Sequence, residues 1–342
     1  MDAVSWQVRP ARASDLDALY DFAMMAGGGL TNLPQSRDAL AQRLARSAAG
    51  FAADVAAPSD EMYLLVLEQA GTGRIGGTAV MFSRIGVGHP FYSYKLSSVS
   101  QHSRELGKTF SMQLLNLVTD HDGASEVGGL FLHPELRTGG LGRLLSRSRY
   151  LFIAGHRARF GDRMLAELRG VMTDDGDSPF WDGLGARFFG MDFRAADKFN
   201  SLNGNQFIAD LMPKHPIYAA LLPGSARAVI GQPHAMGRAA MRLLEAEGFR
   251  YDNYIDIFDG GPTMTASTDA LLTIAASRAA PLAELAGAAI GLPRVLASAG
   301  RLTGFRAWIG HAEDRDGGVT LPAGEAELMG LTLGDEVRHV AF

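Results

Sequence analysis

The spacing of apolar positions changes several times along the chain, and each change predicts an element. Trp6 to Arg9 alternate apolar and polar, a strand pattern that Pro10 ends. Ser14 is the expected N-cap of a helix, with Asp15 and Asp17 in its first turn and Leu16, Leu19, Tyr20 and Ala23 at helical spacing. Glycines 27, 28 and 29 break that helix, and a second is expected from Ser36 through Leu40 and Leu44 to about Ala48. Met62 to Glu68 (MYLLVLE) is a continuous apolar run of strand length, and Ile75 to Phe82 is its hairpin partner across a turn at Gly71 to Gly73. Further strands are expected at Tyr92 to Val99 and at Ser125 to Leu132, the latter ending at His133-Pro134.

From Gly140 to about His156 the stripe Leu141, Leu144, Leu145, Leu151, Phe152 predicts a helix. Met164 to Val171 reads as a strand, in which Glu167 and Arg169 share a face. Ser178 to Phe189 predicts a short helix followed by a strand, and Ala239 to Phe258 a helix (MRLLEAEG) followed by a strand (YDNYIDIF). Gly260-Gly261-Pro262 is a strong breaker. Beyond it, an Ala/Leu-rich stretch from Leu282 to Ala297 is helix-prone, and turn signals stand at Gly317-Gly318 and Gly334-Asp335. The pattern describes an α/β (α+β) chain with a mixed sheet flanked by helices.

Composition removes several function classes. Hydrophobic residues are 47% and charged residues 20%, as in a folded globular protein. The formal net charge is -5 with no long basic run, so a nucleic-acid partner has no electrostatic footprint. Cysteine is absent, which excludes disulfides, thiolate zinc sites and a cysteine nucleophile, and no cluster of suitable spacing calls for a metal. The opening MDAVSWQVRP lacks the pattern of a signal peptide, and no apolar run reaches the roughly 18–20 residues of a membrane span. The expectation is a cytoplasmic protein with no membrane partner.

The clearest candidate chemistry lies in LFLHPELRTGGLG, Leu130 to Gly142. Arg137-Thr138-Gly139-Gly140-Leu141-Gly142 follows an apolar strand and opens an amphipathic helix. The first turn of a helix carries four backbone N–H groups without intrahelical partners, and the dipole adds partial positive charge. Glycines 140 and 142 let a pyrophosphate approach those groups. Gly107-Lys108-Thr109 resembles the end of a Walker A loop, but His102 stands where its first glycine belongs.

With the order strand, two helices, meander, strand, motif, helix, strand, this motif resembles the GNAT superfamily of acyl-CoA N-acyltransferases. More narrowly the chain resembles the arginine N-succinyltransferase family. The stretches that carry this resemblance include RPARASDLDAL, GLTNLP, HPFYSYKL, LFLHPELRTGGLGRLLSRSRYLFIA, AELRG, SPFWDGLGARFFGMDFRAAD, FIADLMPKHPIY, IGQPHAMGRAAMRLLEAEGF and YIDIFDGGPT, over about residues 8 to 264. The resemblance implies succinyl-CoA as co-substrate, no permanently bound cofactor, and L-arginine as acceptor. It implies contacts to succinyl-CoA at Leu130, with Phe131, Leu132, Arg137, Thr138, Gly139, Gly140, Leu141 and Gly142 completing the donor site, and a proton-donating His234. The strand at Leu130 to Leu132 would take the pantetheine amides as a peptide adds to a sheet. One of its backbone N–H groups would stabilise the oxyanion.

Glu167 and Arg169 are candidates for reading the amino acid or for a mutual ion pair, and Asp256 and Asp259 offer negative charge for a guanidinium. Arg143, Arg147 and Arg149 read mainly as a solvated basic face. The expected division is an acyl-CoA-binding core over 1–195, an extension over 196–264 bearing His234, and a small β-rich unit over 265–342. Three departures from the family pattern stand out: Gly128-Gly129 before LFL, Ala235-Met236-Gly237-Arg238 after His234, and Thr265 where an acidic residue is commoner. These leave ornithine as an alternative acceptor. A non-catalytic acyl-CoA-binding subunit is a third reading, and the sequence leaves the oligomeric state, homo- or hetero-oligomer included, open.

Overall fold

A computed structural model describes residues 6–26, 33–203 and 206–342. Strand β1 (Trp6–Pro10) leads into α1 (Leu16–Met25), and α2 (Arg37–Ala52) precedes the hairpin β2 (Met62–Gln69) and β3 (Ile75–Phe82). A long hairpin follows, β4 (Ser93–Ser103) and β5 (Lys108–Val118), then β6 (Ser125–Leu132), α3 (Leu141–Gly155) and β7 (Arg163–Glu167). Short helices α4 (Pro179–Gly183), α5 (Ala186–Phe189), α6 (Phe193–Asn203) and α7 (Gln206–Leu211) lead to β8 (Ile217–Tyr218) and α8 (Gly224–Val229). Next come α9 (Arg238–Glu247), β9 (Arg250–Ile255), β10 (Pro262–Ser267) and α10 (Leu272–Ala276). The tail holds β11 (Arg278–Ala286), β12 (Arg294–Ala299), β13 (Arg306–His311), β14 (Glu313–Arg315), β15 (Gly318–Pro322), α11 (Ala323–Met329) and β16 (Glu336–Ala341).

These elements form two compact units interleaved in sequence: residues 1–83, 125–162 and 267–342 in one, 84–124 and 163–266 in the other. The contiguous division expected at 195/196 and 264/265 is therefore not the division by packing. The reason is strand pairing, since tail strand β13 pairs antiparallel with β1 (Gln7↔Trp308, Val8↔Ala307).

In the first unit the strands run β14-β15-β11-β16-β12-β13-β1-β2-β3-β6. Among the described residues β11 pairs parallel with β15 and the other neighbouring strands pair antiparallel, so the sheet is mixed. Helices α1 and α2 bury Leu19, Phe22, Leu40 and Leu44 against Leu64, Val66 and Val80, each worth about 1.5–3 kcal/mol. Ser36 caps α2 by accepting the Ala39 N–H at 3.3 Å, as its position before the helix predicted. Ser14 does not cap α1. A 3-10 turn (Ala13–Asp15) comes first, and the buried Asp15 accepts the Arg12 N–H at 2.7 Å while pairing with Arg9. The glycines at 27 to 29 and most of GLTNLP lie outside the described residues.

The tail corrects the helix expected over 282–297. This stretch forms β11 and β12, with β16 paired to both and β15 along the other side of β11. Helix preference of Ala and Leu amounts to a few tenths of a kcal/mol per residue, and ladder partners for the backbone outweigh it.

The second unit orders its strands β7-β10-β9-β4-β5-β8. Its core gathers Tyr94, Phe180, Trp181, Ile208, Ile255 and Phe258. The strand expected at the end of SPFWDGLGARFF is a helical turn, which lays the Phe189 ring on Trp181 at 5.4 Å. Strand β7 stops at Glu167 rather than running to Val171. No helix among the described residues is long and apolar enough to cross a membrane.

Candidate active site

The first unit carries the donor motif. Strand β6 pairs with β3 as Thr78↔Phe131 and then Val80↔Gly128, so Gly129 and Leu130 together oppose Ala79. This is a β-bulge, and Gly129 sits in it at φ 54°, a left-handed conformation that favours glycine. The small residue at 129 thereby acquires a physical reason: the bulge interrupts the ladder at Leu130, which the family resemblance implies contacts succinyl-CoA. Leu130 and Leu132 are half-buried, whereas the Phe131 ring is buried against Phe22 at 5.0 Å and has only its backbone to offer a ligand.

After Leu132 the chain makes a 3-10 turn (Pro134–Leu136), and the Arg137 Nε donates back to the Leu132 carbonyl at 3.2 Å. Gly139 and Gly140 both take positive φ, 70° and 91°, and α3 begins at Leu141 with the Leu144 N–H donating to the Gly140 carbonyl at 2.9 Å. The N–H groups of that first turn have no partner within the helix. Arg137, Thr138 and Gly139 are exposed around it.

The need for glycine differs between 140 and 142. At 140 a Cβ would stand 2.9 Å from the ring of Phe342, so backbone conformation and an internal neighbour require it. At 142 a Cβ would make only an ordinary 3.6 Å contact with Leu132. Arg143 and Arg294 each lie over the Phe342 ring, at 5.0 and 4.7 Å. The basic helix face expected from the sequence shrinks to Arg143: Arg149 is buried and bonded to Ser146, and Arg147 donates to Thr273 and to the Ala341 carbonyl.

The second unit carries His234, Arg169 and Glu167. Past the end of β7, Leu168 N–H donates to Pro262 O at 3.1 Å, Gly170 bridges Pro233, and His234 N–H donates to Arg169 O at 2.8 Å. Arg169 and His234 are thus held side by side by backbone. The half-buried His234 imidazole accepts the Met236 N–H on Nδ1 at 3.2 Å, which leaves its proton on Nε2. Burial, and then the Arg169 charge, hold its pKa below the ordinary value, so it rests neutral.

The carboxylates that act on Arg169 are Asp259 and Asp197, while burial pulls its guanidinium pKa down. Asp256 accepts the N–H groups of Phe258 (2.7 Å) and Asp259 (2.8 Å); Asp259 accepts that of Gly261 at 2.8 Å. Burial, reinforced by Asp259, pushes the Asp256 pKa up to about 7. Burial also raises Asp259 and Asp197. Tyr94 and Asp197 belong to this neighbourhood and carried no signal in the sequence.

Comparison with known proteins shows the family to which the chain belongs. The family profile described as arginine N-succinyltransferase beta subunit matches residues 6–273, and that of its C-terminal domain matches 278–341. Arginine N-succinyltransferases of Salmonella paratyphi B and Salmonella enteritidis are each 40% identical over 334 residues, covering 97% of this chain and 96% of theirs. The solved structure of arginine/ornithine succinyltransferase subunit AI from Pseudomonas aeruginosa superposes with a TM-score of 0.86 at 33% identity, over 98% of both chains.

Proposed function

The chain belongs to the arginine N-succinyltransferase family, and on that premise we propose that it transfers succinyl from succinyl-CoA to the α-amino group of L-arginine. The observation that carries the donor half is the bulged strand followed by the left-handed Gly139-Gly140 turn and the open first turn of α3. The CoA pyrophosphate lies at that turn, and Leu130, Phe131 and Leu132 take the pantetheine through their backbone. Arg137, Thr138, Gly139, Gly140, Leu141 and Gly142 complete the donor site.

In the reaction the neutral amine attacks the thioester carbonyl, an N–C bond forms, and the carbonyl oxygen becomes an oxyanion that a backbone N–H at the bulge receives. The C–S bond then breaks. The proton that the amine releases balances the one that the CoA thiolate gains, and we assign its transfer to His234: Nε2–H protonates the sulfur as the amine's proton is taken up in its place. Succinyl-CoA and arginine are substrates consumed in each turnover, and no resident cofactor enters the scheme. The reading includes a cytoplasmic setting, compatible with a chain without cysteine.

The name of the Pseudomonas neighbour favours a second reading, in which ornithine is accepted and the chain works as a subunit of a larger assembly. One assay separates them: the purified chain is incubated with succinyl-CoA and a panel of amino acids, and free thiol is followed. Thiol release with arginine, matched by succinyl-arginine in the mass spectrum, is expected. Faster release with ornithine would displace arginine, and no release with any amine would leave only a non-catalytic subunit.

A further inference from the structure

Strand pairing in the second unit collects negative charge around a buried hydroxyl. Tyr94 on β4 sits opposite Ile255 on β9, one residue before Asp256. Its side chain is 1% exposed, and its hydroxyl has no hydrogen-bond partner. Asp256 is the charge that this hydroxyl feels. Asp197, on α6, interacts with both Asp256 and Arg169. None of Asp197, Asp256 and Asp259 makes an ion pair among the described residues, and the Asp197 side chain makes no hydrogen bond there either.

A buried hydroxyl without a partner costs about 1–3 kcal/mol, and a buried carboxylate without a counter-charge costs more. Asp259 and Asp197 act on one guanidinium, Arg169, and Asp256 acts on Asp197, so carboxyl groups outnumber the cation. The backbone N–H of Asp259 donates to the Asp256 carboxylate at 2.8 Å and ties the two residues together. Phe180, Trp181, Ile255 and Phe258 belong with Tyr94 to one buried apolar cluster beside these groups.

We propose that Asp197, Asp256 and the Tyr94 hydroxyl form the seat for the side-chain cation of the amino-acid acceptor. Asp259 braces the seat from behind through its bonds to Gly261 and Asp256. A guanidinium has donors only; the carboxylates accept from it, and the Tyr94 oxygen takes a further N–H. This inference rests on the proposed succinyl transfer to a basic amino acid and deepens it by naming what reads the substrate's charge.

The test compares arginine with citrulline, which has the same shape and a neutral urea in place of the guanidinium. Calorimetric titrations are run with CoA present on the full chain and on Tyr94→Phe and Asp197→Asn. Tyr94→Phe removes one unpartnered oxygen and keeps the ring, and thermal melts check that both variants fold. The wild type is expected to bind arginine at least about tenfold more tightly than citrulline, since each hydrogen bond to a charged group contributes about 1.5–3 kcal/mol. Either substitution weakens arginine about tenfold or more, leaves citrulline unchanged, and raises the KM for arginine without moving that for succinyl-CoA. Folded variants that bind arginine as the wild type does, or a wild type that fails to distinguish the two ligands, would overturn the seat. A wild type that binds arginine selectively and releases no thiol refutes the transfer reaction instead.

Discussion

Gly140→Ala tests whether the left-handed turn before α3 is what shapes the donor site. An L side chain at φ 91° costs about 1–2 kcal/mol from its own backbone. The added methyl also stands 2.9 Å from the Phe342 ring, inside the 3.5–4.0 Å at which carbons pack. The ring must yield by several tenths of an ångström, and it moves under Arg143 and Arg294. The sum is a stability loss of about 1–3 kcal/mol, a fall in Tm of several degrees. If the turn relaxes toward negative φ instead, the N–H groups at Leu141 and Gly142 rotate away from the phosphates. At about 1.5–3 kcal/mol for a hydrogen bond to a charged group, the KM for succinyl-CoA rises tenfold or more. Gly142→Ala is the companion: its methyl meets only Leu132 at 3.6 Å, so Tm holds or rises while any KM effect reports the ligand itself. Thermal melts and initial rates against succinyl-CoA concentration decide the matter. Gly140→Ala with wild-type Tm and wild-type KM would refute the reasoning, and the addition of Phe342→Ala should restore part of the lost stability.

Two further outcomes concern stability. His156 donates from Nδ1 to Phe152 O at 2.8 Å and accepts the Leu302 N–H on Nε2 at 3.2 Å, and burial holds its pKa near 4 rather than 6.5. The unfolded chain takes up the proton first, so its stabilisation is complete above 6.5 and is lost as pH falls toward 4; melting temperature against pH should decline less steeply in His156→Gln, and parallel curves would contradict this. Arg9, buried, holds Asp15 at 2.8 and 3.0 Å and Glu68 at 2.8 Å. Asp15→Ala should cost about 3–5 kcal/mol in chemical denaturation, and Arg9→Met with Asp15→Leu and Glu68→Leu markedly less, because the second replaces the whole triad rather than stranding one charge.

What the sequence made legible was local. The run MYLLVLE and the stripe from Leu141 to Phe152 announce β2 and α3 because one face or both must be buried. The stretch over 282–297 misleads because its neighbours in the sheet, β15 and β16, lie later in the chain and carry no trace in its own period. The glycines at 139 and 140 point to a tight turn, yet the contact with Phe342 that fixes the second is invisible without the fold. His234 stood out only through the family pattern around it. Tyr94, Asp197 and Asp256 are far apart in sequence and come together only through β4–β9 pairing and the placement of α6.

The pairing of β1 with β13 also has a consequence in time. Strand β1 leaves the ribosome some 300 residues before its partner from Arg306 onward, on the order of 15–60 s at ordinary elongation rates. Throughout that interval one edge of β1 is unpaired, while residues 84–124 and 163–266 are all available to complete their own unit. The nascent protein therefore passes through a stage with one finished half and one open sheet edge, the species most in need of a chaperone.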